Sequence, residues 1–286
     1  MSLQHIKGLS ICLAVTVEAD LVNINTKNKS LFDFDNDRYY ETEALSLFTS
    51  WRKNAGKLKD VPIYALCMTG NEPSLATQEK FKELDVTYIS EYQKETESFL
   101  SGFWNIPLGG VWFERNLEED IIIKLDLDME VLKPLPGDLF GLPDKGSVVG
   151  VFDTYQLDLE RTLPPGATIQ TNTCLIISYR ESMVYTEWYE HLKVLTEKAQ
   201  NPSFLEEYNM KLDDIEEFSF DDMLYKSLFS EKVSTVEKFQ LGEHYPVLSN
   251  FSEEEVGGIY FWHEHYKKTP RKELVREKIE FLKRTK

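Results

Sequence analysis

Apolar residues along the chain fall into short blocks separated by segments with helical spacing, and this alternation predicts the architecture. Residues Gly8 to Val17 (GLSICLAVTV) are almost continuously apolar and rich in branched side chains, as expected of a strand buried on both faces. The polar, Asn/Asp-rich stretch from Glu18 to Asp37 reads as a loop. From Arg38 to Lys53 the spacing of Tyr40, Ala44, Leu47, Phe48 and Trp51 is that of a helix, with Asp37 as its N-cap. Val61 to Thr69 is a second buried strand, Ser74 to Leu84 a helix and Val86 to Ser90 a short strand. Right-handed crossovers between such units give a parallel sheet covered by helices, with ligands at the carboxyl ends of the strands.

The second half is less regular. A helical or mixed stretch, Glu95 to Asn116, leads into Asp120-Ile-Ile-Ile-Lys-Leu-Asp-Leu-Asp-Met-Glu-Val-Leu132, read as a central strand that ends in acid. Pro134, Pro136 and Gly137 then interrupt the chain. Val148 to Phe152 and Asn172 to Ser178 read as strands, with a loop from Asp153 to Gln170 between them. Glu181 to Lys198 and Phe220 to Phe229 read as helices, Gly258 to Trp262 as a last strand and Thr269 to Arg284 as a basic amphipathic helix. Without a repeat or linker the expectation is one domain, 1 to 286, divided into a half spanning 1 to 131 and a half spanning 132 to 286.

Charge narrows the partners. A net charge of −17 opposes binding to nucleic acid or anionic lipid. Tyr266 to Lys286 runs the other way, with nine Lys or Arg against three Glu, so an anionic substrate would need a metal ion, this segment, or both. Cys12, Cys67 and Cys174 are widely separated within apolar runs and read as buried thiols. No run approaches roughly 18 apolar residues and the N-terminus has no signal-peptide pattern, so a cytoplasmic protein is expected.

The candidate chemistry begins at Asp126 and Asp128. Two residues apart on a strand they would point to one side, just where an apolar strand ends, and two carboxylates there suit a hard cation that recruits diphosphate oxygens. His263 and His265 follow the apolar run Ile259-Tyr260-Phe261-Trp262 with the same spacing. Either could bring an imidazole to that ion, which favours Mn²⁺ over Mg²⁺. Lys267, Lys268 and Arg271 come next and could neutralise a leaving diphosphate.

Taken in order, these segments resemble the GT-A glycosyltransferases with a DxD motif, most closely the retaining branch of glycogenin and the lipopolysaccharide galactosyltransferases. Asp120 to Val131 resembles the segment D-k-v-l-Y-l-D-a-D-x-x-v of that branch, with Lys124 where tyrosine is common. Thr171-Asn172-Thr173-Cys174 resembles its Asn-x-Gly strand, and Phe220-Asp221-Asp222-Met223 its acidic helix start. His263, with Thr269 and Pro270 six and seven residues on, resembles its late metal-binding histidine. The resemblance implies an α/β GT-A fold, with a central mixed, mainly parallel sheet flanked by helices. It also implies a metal-dependent hexosyltransferase using a nucleotide-sugar donor, a UDP-sugar in particular, and a glycan, protein or lipid-linked acceptor. It makes 1 to 131 the nucleotide-binding half and 132 to 286 the acceptor side. The donor base would lie near Ala14, Val15 and Thr16, the transferred sugar near Asn172, and the metal on Asp126, Asp128 and His263, with His265 as the substitute. Asp221 and Asp222 become candidates for deprotonating or binding the acceptor.

Two other readings compete. A haloacid-dehalogenase-type phosphatase also ends an apolar strand in Asp-x-Asp, on the first strand of its core and with Thr or Val where Glu130 stands here. A non-catalytic protein of the same fold that binds nucleotide-sugars or glycans would keep the same residues.

Overall fold

A computed structural model of the chain describes residues 9–17, 39–68, 70–91, 101–135, 148–152, 164, 171–210, 215–226, 233–236, 240–241 and 260–263. The first half alternates as its pattern predicts: β1 (Ile11–Thr16), α1 (Tyr39–Asn54), β2 (Ile63–Cys67), α2 (Leu75–Glu83), β3 (Val86–Ser90), α3 (Ser101–Asn116) and β4 (Ile121–Leu125), after which the expected central strand breaks and β5 (Met129–Val131) forms separately. There follow β6 (Val148–Phe152), β7 (Thr171–Tyr179), α4 (Val184–Ala199), α5 (Pro202–Glu207), α6 (Ile215–Lys226), β8 (Val233–Val236), β9 (Gln240–Leu241) and β10 (Phe261–His263). The expected N-cap Asp37, the loop from Glu18 and the basic helix from Thr269 lie outside the described residues.

Seven strands form one sheet in the order β3-β2-β1-β4-β7-β6-β8. β1, β2, β3 and β4 are parallel, β7 is antiparallel to β4 and to β6, and β8 is parallel to β6. The sheet is therefore mixed, with β7 the one reversed strand. β5, β10 and β9 make a separate small sheet.

Side-chain alternation divides the core into two layers. Leu13, Val15, Ile121, Ile123, Leu125, Leu175 and Ile177 pack with Ala44, Leu47, Phe48 and Trp51 of α1 and Phe81 of α2. Cys12, Ala14, Ile122 and Ile176 pack with α3, α4 and α6, through Leu108, Val111, Phe113, Tyr185, Trp188 and Phe220 among others. All three cysteines are buried thiols outside any disulfide, as expected. Among the described residues no helix is long and apolar enough to cross a membrane.

Side-chain ties fix the strand starts and helix ends. The Asp120 carboxylate accepts from the Ser10 N–H (2.8 Å) and hydroxyl (3.0 Å), locking the starts of β4 and β1 together. Arg52 in the last turn of α1 donates to the carbonyls of Lys59, Val61, Leu84 and Asp85 at 2.5–2.8 Å. α4 starts after Met183, which is left-handed (φ 53°) and provides no side-chain cap. Glu114 of α3 caps it instead, accepting from the N–H groups of Tyr185 (2.8 Å) and Thr186 (3.0 Å) and from the Thr186 hydroxyl (2.7 Å). Burial outweighs these donors and pushes the Glu114 carboxyl up to about 7.

One expected boundary moves and one helix is new. α6 starts at Ile215, not at Phe220, because Ile215 and Phe218 already pack against Leu192, Leu195 and Ala199. α5 was not expected, although Asn201 and Pro202 carry an N-cap and first-turn proline signature; the Asn201 side chain accepts from the Ser203 N–H at 3.1 Å.

Candidate functional site

The strand expected to run through Asp126 and Asp128 stops at Leu125. The Asp126 N–H still donates to the Cys174 carbonyl of β7 (2.9 Å), but the chain then turns over residues 127 and 128. The Met129 N–H closes that turn on the Asp126 carbonyl (3.3 Å), and the chain resumes as β5 in the small sheet. The two aspartates therefore sit in a corner between two sheets, and strand alternation does not determine their relative direction. The cause is a change of partner, from β7 before the corner to β10 after it.

The corner is held from three sides. On α1, Ser46, Ser50 and Asn54 form a polar stripe at four-residue spacing. Ser50 Oγ accepts from the Val131 N–H (3.0 Å), Asn54 Nδ2 donates to the Val131 carbonyl (2.7 Å), and the Ser46 hydroxyl donates to Glu130 at 3.5 Å. On the opposite edge of β5, β10 runs antiparallel with His263 in register with Met129 and Trp262 with Glu130. The backbone of residue 263 thus lies across from the residue that follows Asp128; the His263 side chain is outside what the structure describes. On the β1 side, Leu13 is in register with Ile123, so β1 ends at Thr16 beside the end of β4.

Lys124 adds a further hold from within β4. It shares the sheet face of Ile122, and its side chain is only 5 % exposed. Its ammonium donates to the Asp126 Oδ1 and to the Thr173 carbonyl (2.6 Å). Asp126 is 25 % exposed at its side chain and Asp128 is 9 % exposed overall. Among the described residues no group of three or more His, Cys, Asp or Glu is arranged to hold a metal ion. The two carboxylates nevertheless match a hard divalent ion, because Mg²⁺ or Mn²⁺ keeps several waters and uses one or two carboxylates together with substrate phosphates.

The remaining predicted residues are placed as follows. Ala14 and Val15 are fully buried on opposite faces of β1, and Thr16 is partly exposed at its end. Thr16 packs on α3 through Gly109, where an added Cβ would lie 2.2 Å from the Thr16 methyl. Asn172 lies on β7 in register with Val151, its side chain outside the described residues. His265, Lys267 and Lys268 also lie outside them.

Asp221 and Asp222 do not begin a helix. They fall in the middle of α6, both buried, where α6 packs on α4 and β7. Asp222 Oδ2 is 3.4 Å from His191 Nδ1 of α4. The reason is that Ile215 and Phe218 in the turns before the acidic pair already pack against Leu192, Leu195 and Ala199, so the helix starts ahead of it.

Sequence reasoning missed Lys124 and the α1 stripe. The stripe had a signal, in Ser46, Ser50 and Asn54 at four-residue spacing beside the apolar ridge. Lys124 had a weaker one, a lone charge inside an isoleucine-rich strand.

No protein-family model and no curated protein matches the sequence. Among solved structures the chain is similar to WbbM, a bifunctional glycosyltransferase in its apo form, with a TM-score of 0.53 and 13 % sequence identity. The match covers 90 % of this chain and 46 % of that one, so this chain spans about half the length of that structure. Topology and likeness together give an α/β fold, a central mixed, mainly parallel sheet flanked by helices, similar to that of a glycosyltransferase structure.

Proposed function

We propose that the chain is a metal-dependent glycosyltransferase that takes a nucleotide-sugar donor, a UDP-sugar in particular, at the carboxyl ends of β1 and β4. One observation carries this reading: the Asp126–Asp128 corner stands at the carboxyl end of the central strand β4, beside the end of β1, where sheets of this kind bind nucleotides. The likeness to a glycosyltransferase structure supports it.

In this reading Asp126 and Asp128 hold Mn²⁺ or Mg²⁺, with His263, or His265 in its place, as the third ligand. The bound ion would offset the negative charge that grows on the departing nucleoside diphosphate. The base sits at the end of β1, where Thr16 is partly exposed above the buried Ala14 and Val15, Asn172 orients the transferred sugar, and Lys267 and Lys268 neutralise the diphosphate. Residues 1–131 form the donor half and 132–286 the acceptor half. Asp221 and Asp222 belong to the acceptor side, and their burial suits orienting neighbouring groups such as His191 better than meeting an acceptor directly. The phosphatase reading places its Asp pair on the first core strand, whereas here the pair follows the fourth.

A panel of sugar nucleotides incubated with Mn²⁺ tests the proposal. Release of a nucleoside diphosphate from one of them, with no phosphate release from p-nitrophenyl phosphate, is the expected result. Binding of UDP with Mn²⁺ but no turnover of any donor would replace the enzyme with a non-catalytic binding protein.

A further inference from the structure

β4 is buried along its whole length, and Lys124 is its one charged residue. An unpaired ammonium in such a place costs several kcal/mol, and two partners among the described residues, both at the strand's exit, make the position tenable. One is the Asp126 carboxylate, which opens the corner; the other is the Thr173 carbonyl on the neighbouring strand β7. The ammonium thus bridges β4 and β7 just beneath the proposed diphosphate position.

We propose that Lys124 is a positioning residue acting as a built-in cation of the donor site: it holds Asp126 in place, competes with the divalent ion for that carboxylate, and supplies part of the positive charge a diphosphate needs. The inference rests on the functional reading above for its diphosphate half only. With Lys124 present, the two aspartates and the ammonium carry a formal charge of −1 in place of −2. Two consequences of opposite sign follow. Metal alone binds less tightly than to two uncompensated carboxylates, and a diphosphate meets less repulsion when no metal is present.

The test uses the full chain with Lys124→Met and Lys124→Gln. Met keeps the length of the stem without the charge, and Gln keeps a neutral donor for the Thr173 carbonyl. Mn²⁺ alone is titrated by electron paramagnetic resonance, and UDP is titrated calorimetrically in EDTA. Both variants should bind Mn²⁺ about ten-fold more tightly than the parent, the size expected when a unit charge a few ångström from a divalent ion is removed. Both should lose about ten-fold in metal-free UDP affinity. A purely structural role for Lys124 would loosen the corner and weaken Mn²⁺ binding. Unchanged or weaker Mn²⁺ binding in the folded variants, parent-like affinity in Lys124→Gln, or no Mn²⁺ binding to any of the three proteins would overturn the proposal. If UDP binds none of them with or without metal, the glycosyltransferase reading fails, while the Mn²⁺ titration still decides the role of Lys124.

Discussion

Replacing Asp126 by alanine strands the Lys124 ammonium in the centre of the sheet. The side chain of Lys124 is 5 % exposed and, among the described residues, keeps one other hydrogen bond, to the Thr173 carbonyl at 2.6 Å. Breaking a buried ion pair from one side costs about 3–5 kcal/mol, and the surviving carbonyl contact places this case near about 3 kcal/mol. The converse change is milder. Lys124→Met leaves Asp126, which is 25 % exposed and can be hydrated, so its cost should stay near or below about 1 kcal/mol. The double variant Lys124→Met/Asp126→Ala removes both charges and should regain most of the loss. A double-mutant cycle from urea denaturation, followed by tryptophan fluorescence, should therefore give a coupling of about 2 kcal/mol. Additive effects, or an Asp126→Ala cost below about 1 kcal/mol, would refute the reasoning. Inactivity of an Asp126 variant would therefore report folding as well as metal binding.

Three further outcomes are expected. The Glu114 carboxyl is raised from the usual 4.5 to about 7, so the folded state favours its protonated form; the stability this confers is complete below about pH 4.5 and is lost as the pH rises through about 7. Glu114→Gln should flatten the stability profile over that window in thermal melts at a series of pH values, and an unchanged slope would exclude Glu114 as its source. Arg52→Lys should cost about 2–3 kcal/mol in urea unfolding, because one ammonium cannot reach the four carbonyls that the guanidinium serves; a loss under about 0.5 kcal/mol would contradict this. Its pair with the exposed Asp85 side chain, at 3.9 Å, contributes little to that figure. Gly110→Ala places a Cβ 2.1 Å from the ring of the fully buried Tyr185, so a loss of about 3 kcal/mol is expected from the same assay, against near neutrality if α3 can shift.

The first half of the fold was legible because its signals are local. Each buried strand is one apolar run, and the 3.6-residue spacing of Ala44, Leu47, Phe48 and Trp51 marks a helix face. The site was legible only in outline. Asp126 and Asp128 were found, but the corner between them was not, because Met129-Glu130-Val131 looks like a continuation of β4 and changes sheet only through its pairing with β10. Lys124 could not be interpreted without its neighbours, since its second contact is 49 residues away on β7. The Glu114 cap spans 71 residues to the α4 N-terminus and leaves no sequence trace. Asp221 and Asp222 looked like a helix start because acids favour that position; tertiary contacts of Ile215 and Phe218 extended α6 ahead of them.

The most direct test of the central claim is metal-dependent donor hydrolysis by Asp128→Asn set beside the parent chain, after both are shown to be folded by circular dichroism. The account predicts Mn²⁺-dependent release of a nucleoside diphosphate by the parent and a fall of at least about 100-fold in the variant, whose amide is a poorer ligand for a hard cation. Metal-dependent turnover at the parent rate in Asp128→Asn would contradict it.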